Sequence, residues 1–161
     1  MKTFHLTHSR VEIHLNEVRI ITIYFNQNSG KVYYRSKINT ISEIKHTGIY
    51  LGVDIYGTPY FIHNHYQGGR PSIVTLEDFS KGQTIQEYAH SPKNGAIEII
   101  RKALEEVVRG EQYHPVHYNC QTLVNIACNL KRQSEDVDKW MGRLFLGSML
   151  LIGIGIFNRR A

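Results

Sequence analysis

Residues 44–52 read Ile44-Lys45-His46-Thr47-Gly48-Ile49-Tyr50-Leu51-Gly52, a run of β-branched, aromatic and aliphatic side chains with a histidine near its start. Such a run fits a buried, pleated strand. Gly57-Thr58-Pro59 then breaks the chain, and Tyr60-Phe61-Ile62-His63-Asn64-His65 resumes an apolar stretch. Alternate side chains of a strand share a face, so His46, Gly48 and Tyr50 point one way, as do Phe61, His63 and His65 on the second run. Antiparallel pairing across a loop at residues 52–59 sets His46 opposite His65, with His63 on the diagonal. Both downstream histidines are then within reach of His46, and register alone does not choose between them.

A second stretch supplies a partner for an imidazole. In Tyr113-His114-Pro115-Val116-His117-Tyr118-Asn119-Cys120-Gln121-Thr122-Leu123-Val124, Asn119 is a good N-cap residue. Leu123, Val124, Ala127 and Leu130 then recur at helical spacing. Cys120 would occupy the first turn, where unpaired N–H groups and the positive end of the helix dipole favour negative charge. The thiolate is the nucleophilic form of cysteine, so this position suits a reactive sulfur.

Working outward, residues 1–17 are mixed, and His5, His8 and His14 show no metal-ligand spacing. Residues 18–25 and 31–36 are strand-like and flank Asn26-Gln27-Asn28-Ser29-Gly30, which predicts a β-hairpin. A short strand is expected around residues 73–76. Ser91 as N-cap and Pro92 at the first helical position open a helix. Its buried stripe is Ala96, Ile97, Ile100, Ala103, Leu104, Val107 and Val108, with Glu98 and Lys102 as an i,i+4 pair and Gly110 as its end. These elements predict an α+β fold, an antiparallel sheet packed against helices.

At 161 residues the chain is long enough for one domain with a real core. A hydrophobic content of 42% with 20% charged residues marks a folded protein. The net charge of +5 comes from Lys and Arg scattered singly or in pairs, so a nucleic-acid partner is not expected. Cys120 and Cys128 on one helix would lie about 12 Å apart along its axis, too far for a disulfide. Residues 1–11 have no apolar core of signal-peptide length, so free thiols in a reducing, cytoplasmic compartment are expected. Cys128 reads as a small buried residue. There is no phosphate-binding loop, and neither a nucleotide cofactor nor a metal is expected.

Residues 131–139 form a charged linker. Residues 144–157 follow without a charge, flanked by Trp140, Arg143, Arg159 and Arg160. As a helix they would span about 21 Å, against ~30 Å of hydrocarbon, with anchors at the interface. The competing readings are a buried core element and a final strand. The placement behind a polar linker favours membrane association through this segment.

A cysteine on a helix N-terminus and two histidines on adjacent strands suit a thiol hydrolase: one imidazole takes the thiol proton, and a second polar group fixes its tautomer. The motifs His46-Thr47-Gly48-Ile49-Tyr50-Leu51-Gly52, Phe61-Ile62-His63-Asn64 and Asn119-Cys120, with Tyr113 seven residues before the cysteine, resemble the LRAT-like family. This is the family of lecithin:retinol acyltransferase and the small phospholipase/acyltransferases, a permuted branch of the NlpC-type, papain-like cysteine hydrolases. The resemblance covers residues 44–130 and implies a circularly permuted papain-like fold, preceded by an N-terminal β-hairpin extension over residues 1–43 and followed by the hydrophobic segment at 140–161. It implies Cys120 as nucleophile, His46 as general base and His63 as the residue orienting His46, with His65 the rival. Tyr113 and Asn119 match motif positions of the family and are read as structural. Where the family carries Asn-Cys-Glu-His-Phe, this chain has Asn119-Cys120-Gln121-Thr122-Leu123, and the longer interval from His46 to His63 implies an extended turn at residues 53–58. The implied activity is acyl transfer or hydrolysis through a Cys120 thioester, on an acyl-containing lipid. The alternatives are a cysteine peptidase or isopeptidase acting on a peptide substrate, and an inactive, membrane-tethered binding domain.

Overall fold

The structure, a computed structural model, describes residues 3–16, 19–36, 45–89, 92–131 and 137–138. Among them the chain forms β1 (Thr3–Leu6), β2 (Arg10–Asn16), β3 (Arg19–Tyr24), β4 (Val32–Ser36), β5 (Lys45–Val53), β6 (Pro59–Asn64), β7 (Pro71–Thr75), α1 (Leu76–Ser80), β8 (Gln86–Glu87), α2 (Ala96–Arg109) and α3 (Cys120–Ala127). The fold is α+β. The eight described strands make one sheet with antiparallel pairing, ordered β1-β2-β3-β5-β4-β8, and β6 and then β7 add on from β5.

β5 organises the sheet, and its alternation separates two cores. Ile49 and Leu51 join Ile62, Val32, Ile23, Val11 and Ile13 in a cluster closed by Ile99, Ile100, Ala103 and Leu104 of α2 and Leu123, Val124, Ala127 and Cys128 near α3. Tyr50, on the opposite face, packs with Phe61 and Phe79, and Tyr33 leans against them. The Phe61 and Phe79 rings stack with centroids 4.6 Å apart. Gly48 makes room for this second cluster: a Cβ there would lie 2.6 Å from the Phe79 ring. Because His46 and Gly48 share a face, the same aromatic floor runs beneath the histidines.

The hairpin expected from residues 18–25 and 31–36 does not form. β3 pairs with β2, through contacts such as His14↔Ile20, and touches β5 at Tyr24↔Val53. β4 pairs with β5 from Val32↔Ile49 to Ser36↔Lys45. Both lie antiparallel to β5, one after the other along the same edge, so the chain continues instead of reversing. The intervening turn is a jog. Ser29 N–H donates to Asn26 O at 2.9 Å and Lys31 N–H to Asn28 O at 3.0 Å, two turns that restore the original direction. Gly30 N–H then donates to Tyr50 O, and Tyr50 N–H to Lys31 O, each at 2.8 Å, which rejoins the chain to β5. Gly30 has φ +84° and sits against Ala96, whose Cα would be 2.8 Å from an added Cβ. Residues 1–17, given no element from sequence, contain β1 and all of β2.

α2 begins at Ala96 with Gly95 as N-cap, later than the Ser91-Pro92 start expected. Lys93 N–H donates to Cys128 O (3.1 Å) and the Asn94 side chain to Ala127 O (2.9 Å), so this approach is tied to the end of α3 instead of to a helical turn. The buried face includes Ile99 and Glu106, while Val108 is 60% exposed. Glu98 pairs with Arg101 at 2.6 Å, not with Lys102 as expected, and Arg101 also bonds Glu105. Gly110 ends α2 in the left-handed region, its N–H on Glu106 O at 3.0 Å. The hydrophobic segment at residues 140–161 and most of the linker at 131–139 lie outside the described residues. Among the described residues, no helix is long and apolar enough to cross a membrane.

Candidate active site

The site is assembled from the N-terminus of α3 upward. Asn119 is extended (φ −121°), and its Oδ1 accepts from the N–H groups of Gln121 at 3.0 Å and Thr122 at 3.1 Å. Leu123 N–H closes the first helical turn on Asn119 O at 3.0 Å. The Asn119 cap thus takes the N–H groups of the second and third helical residues and not that of Cys120. Asn119 is itself held by a 2.9 Å bond from its Nδ2 to Pro115 O. The preceding loop is closed by reciprocal backbone bonds between His114 and Tyr118, at 2.8 and 3.0 Å. Asn64 Nδ2 donates to Tyr118 O at 3.2 Å, linking the end of β6 to this loop, and Tyr113 N–H donates to Gly69 O at 2.7 Å.

The histidines meet across β5 and β6. Gly48 faces His63 in the ladder, and the same register carried outward sets His46 across from His65. His46 Nε2 and His63 Nδ1 are 2.9 Å apart, with both residues buried. The His65 ring lies 4.9 Å from that of His46 and stacks on His63 at 5.8 Å, centroid to centroid. The diagonal neighbour, His63, thus makes a hydrogen bond to His46, and His65 makes a ring contact with it. Burial drives His63 down to about 3, with His65, Arg35 and Lys81 adding to the effect. His63 is therefore neutral near neutrality, with a single ring N–H.

Cys120 is 3% exposed, and its Sγ lies 3.8 Å from the backbone carbonyl of Lys45, the residue before His46. That carbonyl accepts a hydrogen bond from the thiol. The other cysteine is different in kind. Cys128 is fully buried in the aliphatic core, and burial pushes its thiol up to about 12. Burial also raises the Tyr113 phenol to about 12, with Cys120 near enough to contribute.

Two participants were not singled out from sequence. Arg35 on β4 is the direct cross-strand partner of His46 and is 4% exposed, with its Nε donating to Phe79 O at 2.6 Å. Alternation along Tyr33-Tyr34-Arg35 assigns its face, but nothing local says which strand lies alongside. Glu106 is 2% exposed and accepts from the Tyr118 hydroxyl at 2.6 Å and from Arg109 at 2.7 Å. Its signal was present in the sequence: it falls at helical spacing from Ile99 and Ala103, a charge on an apolar stripe. Among the described residues, no cluster of three His, Cys, Asp or Glu side chains is arranged to hold a metal ion. In comparisons with known proteins, no family model, no curated sequence and no solved structure matches the chain.

Proposed function

We propose that the chain is a thiol-dependent acyltransferase or hydrolase of the LRAT-like kind, with a permuted papain-like arrangement in which Cys120 is the nucleophile, His46 the general base and His63 the residue that orients it. The observation that carries the reading is the 2.9 Å contact between His46 Nε2 and His63 Nδ1. With His63 neutral and protonated on Nε2, its Nδ1 accepts from His46 Nε2–H. In that tautomer Nδ1 is the nitrogen of His46 that takes up a proton.

The chemistry runs in two halves. The sulfur leaves the Lys45 carbonyl, gives its proton to His46 and bonds to the acyl carbon, whose oxygen becomes negative near the Cys120 N–H. The ester oxygen departs with the proton from His46, leaving an acyl thioester. Water, an amine or a hydroxyl then attacks with His46 as base and releases the acyl group from Cys120. Catalytic hydrogen bonds in ligand-free enzymes commonly tighten only when substrate arrives, which accommodates the present position of the sulfur. A lipid ester is the substrate that suits membrane attachment through residues 144–157.

The thiol's bond to the Lys45 backbone carbonyl, which engages its proton, favours one other reading, a binding domain without turnover. Peptide-resolved labelling with iodoacetamide separates the two. An enzyme shows Cys120 modified well ahead of Cys128, slowed by His46→Ala, and an acyl adduct by intact mass after exposure to phospholipid. Equal labelling of both thiols and no adduct would leave the binding domain standing.

A further inference from the structure

Arg35 is an arginine buried without a carboxylate. Its Nε is taken by Phe79 O at 2.6 Å and Nη1 reaches Ser36 O at 3.3 Å, and among the described residues no acidic side chain forms an ion pair with it. Two backbone carbonyls cannot use all five donors of a guanidinium. A buried cation in that state is costly unless an anion joins it. Its position says where that anion would sit. Ser36, touched by Nη1, is the cross-strand partner of Lys45, and the Lys45 carbonyl holds the Cys120 sulfur at 3.8 Å. Arg35 itself faces His46. The guanidinium and the sulfur thus meet the same terminal pair of β4 and β5. Burial lowers Arg35 from the ordinary arginine value, and Cys120 and Tyr66 are the neighbours that oppose the shift. Tyr66, 62% exposed, places this end of the site at the surface.

We propose that Arg35 is a specificity-determining residue of the Cys120 site, selecting ligands that carry a phosphate or carboxylate beside the carbon attacked by the sulfur. The inference deepens the acyl-transfer reading, but its test needs the sulfur only as a reporter.

The experiment compares alkylation of Cys120 by iodoacetate, an anion, with alkylation by neutral iodoacetamide. Taking the rate ratio cancels the fraction and nucleophilicity of the thiolate. The expected ratio at Cys120 is about tenfold above that of free cysteine, the low end for one charge-assisted contact. Arg35→Met should return it to the free-cysteine value, and Arg35→Lys should retain most of the preference. A wild-type ratio equal to that of free cysteine overturns the proposal, whether or not the Met variant folds. Wild-type protein with inorganic phosphate, or with dihexanoyl phosphatidic acid, identifies the source of the anion. Slowing of iodoacetamide by both assigns the selectivity to phosphate itself, and slowing by the lipid alone assigns it to a headgroup with its acyl chains. A thiol no faster than Cys128 would count against the nucleophile, yet its charge ratio remains measurable, so the two failures are distinguishable.

Discussion

The Tyr118 hydroxyl donates a 2.6 Å hydrogen bond to the Glu106 carboxylate inside the protein, joining α2 to the residue two places before Cys120. Burial and the adjacent carboxylate hold the phenol well above the ordinary tyrosine range. The bond keeps the loop that leads into Cys120 in register with the helix behind it. Tyr118→Phe leaves Glu106 with Arg109 as its remaining described side-chain partner. The expected loss is about 1–3 kcal/mol, read as a lower urea midpoint at unchanged slope. A change below about 0.5 kcal/mol would mean that water replaces the phenol and that the bond does not fix the loop.

His63 makes stability depend on pH. Unfolded, its imidazole takes a proton near 6.5; folded, only near 3. Above the unfolded value neither state is protonated and the term is constant. As pH falls through the window between the two, the unfolded state binds the proton first and stability drops, by up to about 1.4 kcal/mol per pH unit. The advantage of wild type over His63→Asn should narrow by about 2 kcal/mol between about pH 7 and about pH 5. Urea unfolding of both proteins at the two pH values checks this; parallel curves would show that the ring is not buried neutral.

Asn119 caps α3 through its side-chain oxygen. Asn119→Ala should cost about 1 kcal/mol, whereas Asn119→Ser, which can still accept from the same N–H groups, should cost less than half of that. Both variants should also be compared for iodoacetamide rate at Cys120, since a frayed first turn moves the sulfur. Equal stability of the two would place the cap elsewhere.

At Gly48 a methyl would lie 2.6 Å from the edge of the Phe79 ring, which is fully buried and has its centroid 5.6 Å from that of His46. Gly48→Ala therefore displaces an aromatic ring with nowhere to go, at about 1–3 kcal/mol. The displaced ring pushes on the histidines, so Cys120 alkylation should slow in the same variant. Thermal unfolding with the labelling rate measures both. A stable variant with altered labelling would separate the floor's effect on the site from its effect on the core.

Local chemistry was legible wherever a few neighbouring residues decide the outcome. The Asn119 cap, the left-handed Gly110 terminus, the strands at β5 and β6 and the shared face of His46, Gly48 and Tyr50 all follow from short-range rules and appear in the structure. The register was legible as well, since pairing Gly48 with His63 is the alignment that sets His46 against His65. Turn chemistry misled at Asn26–Gly30. Those residues do turn, but Tyr50, twenty residues further on, takes both backbone bonds and makes the chain continue.

The sequence by itself determined which side chains share a strand face and where a helix could begin, because those depend on backbone periodicity and on hydrogen bonds within about one turn. Tertiary structure alone decided that His63 lies 2.9 Å from His46, that Arg35 is buried opposite that same histidine, and that the Cys120 sulfur rests on the Lys45 carbonyl. Each of these is a meeting of segments far apart in the chain, set by sheet register and by packing against Phe79 and α3. No local pattern encodes such distances.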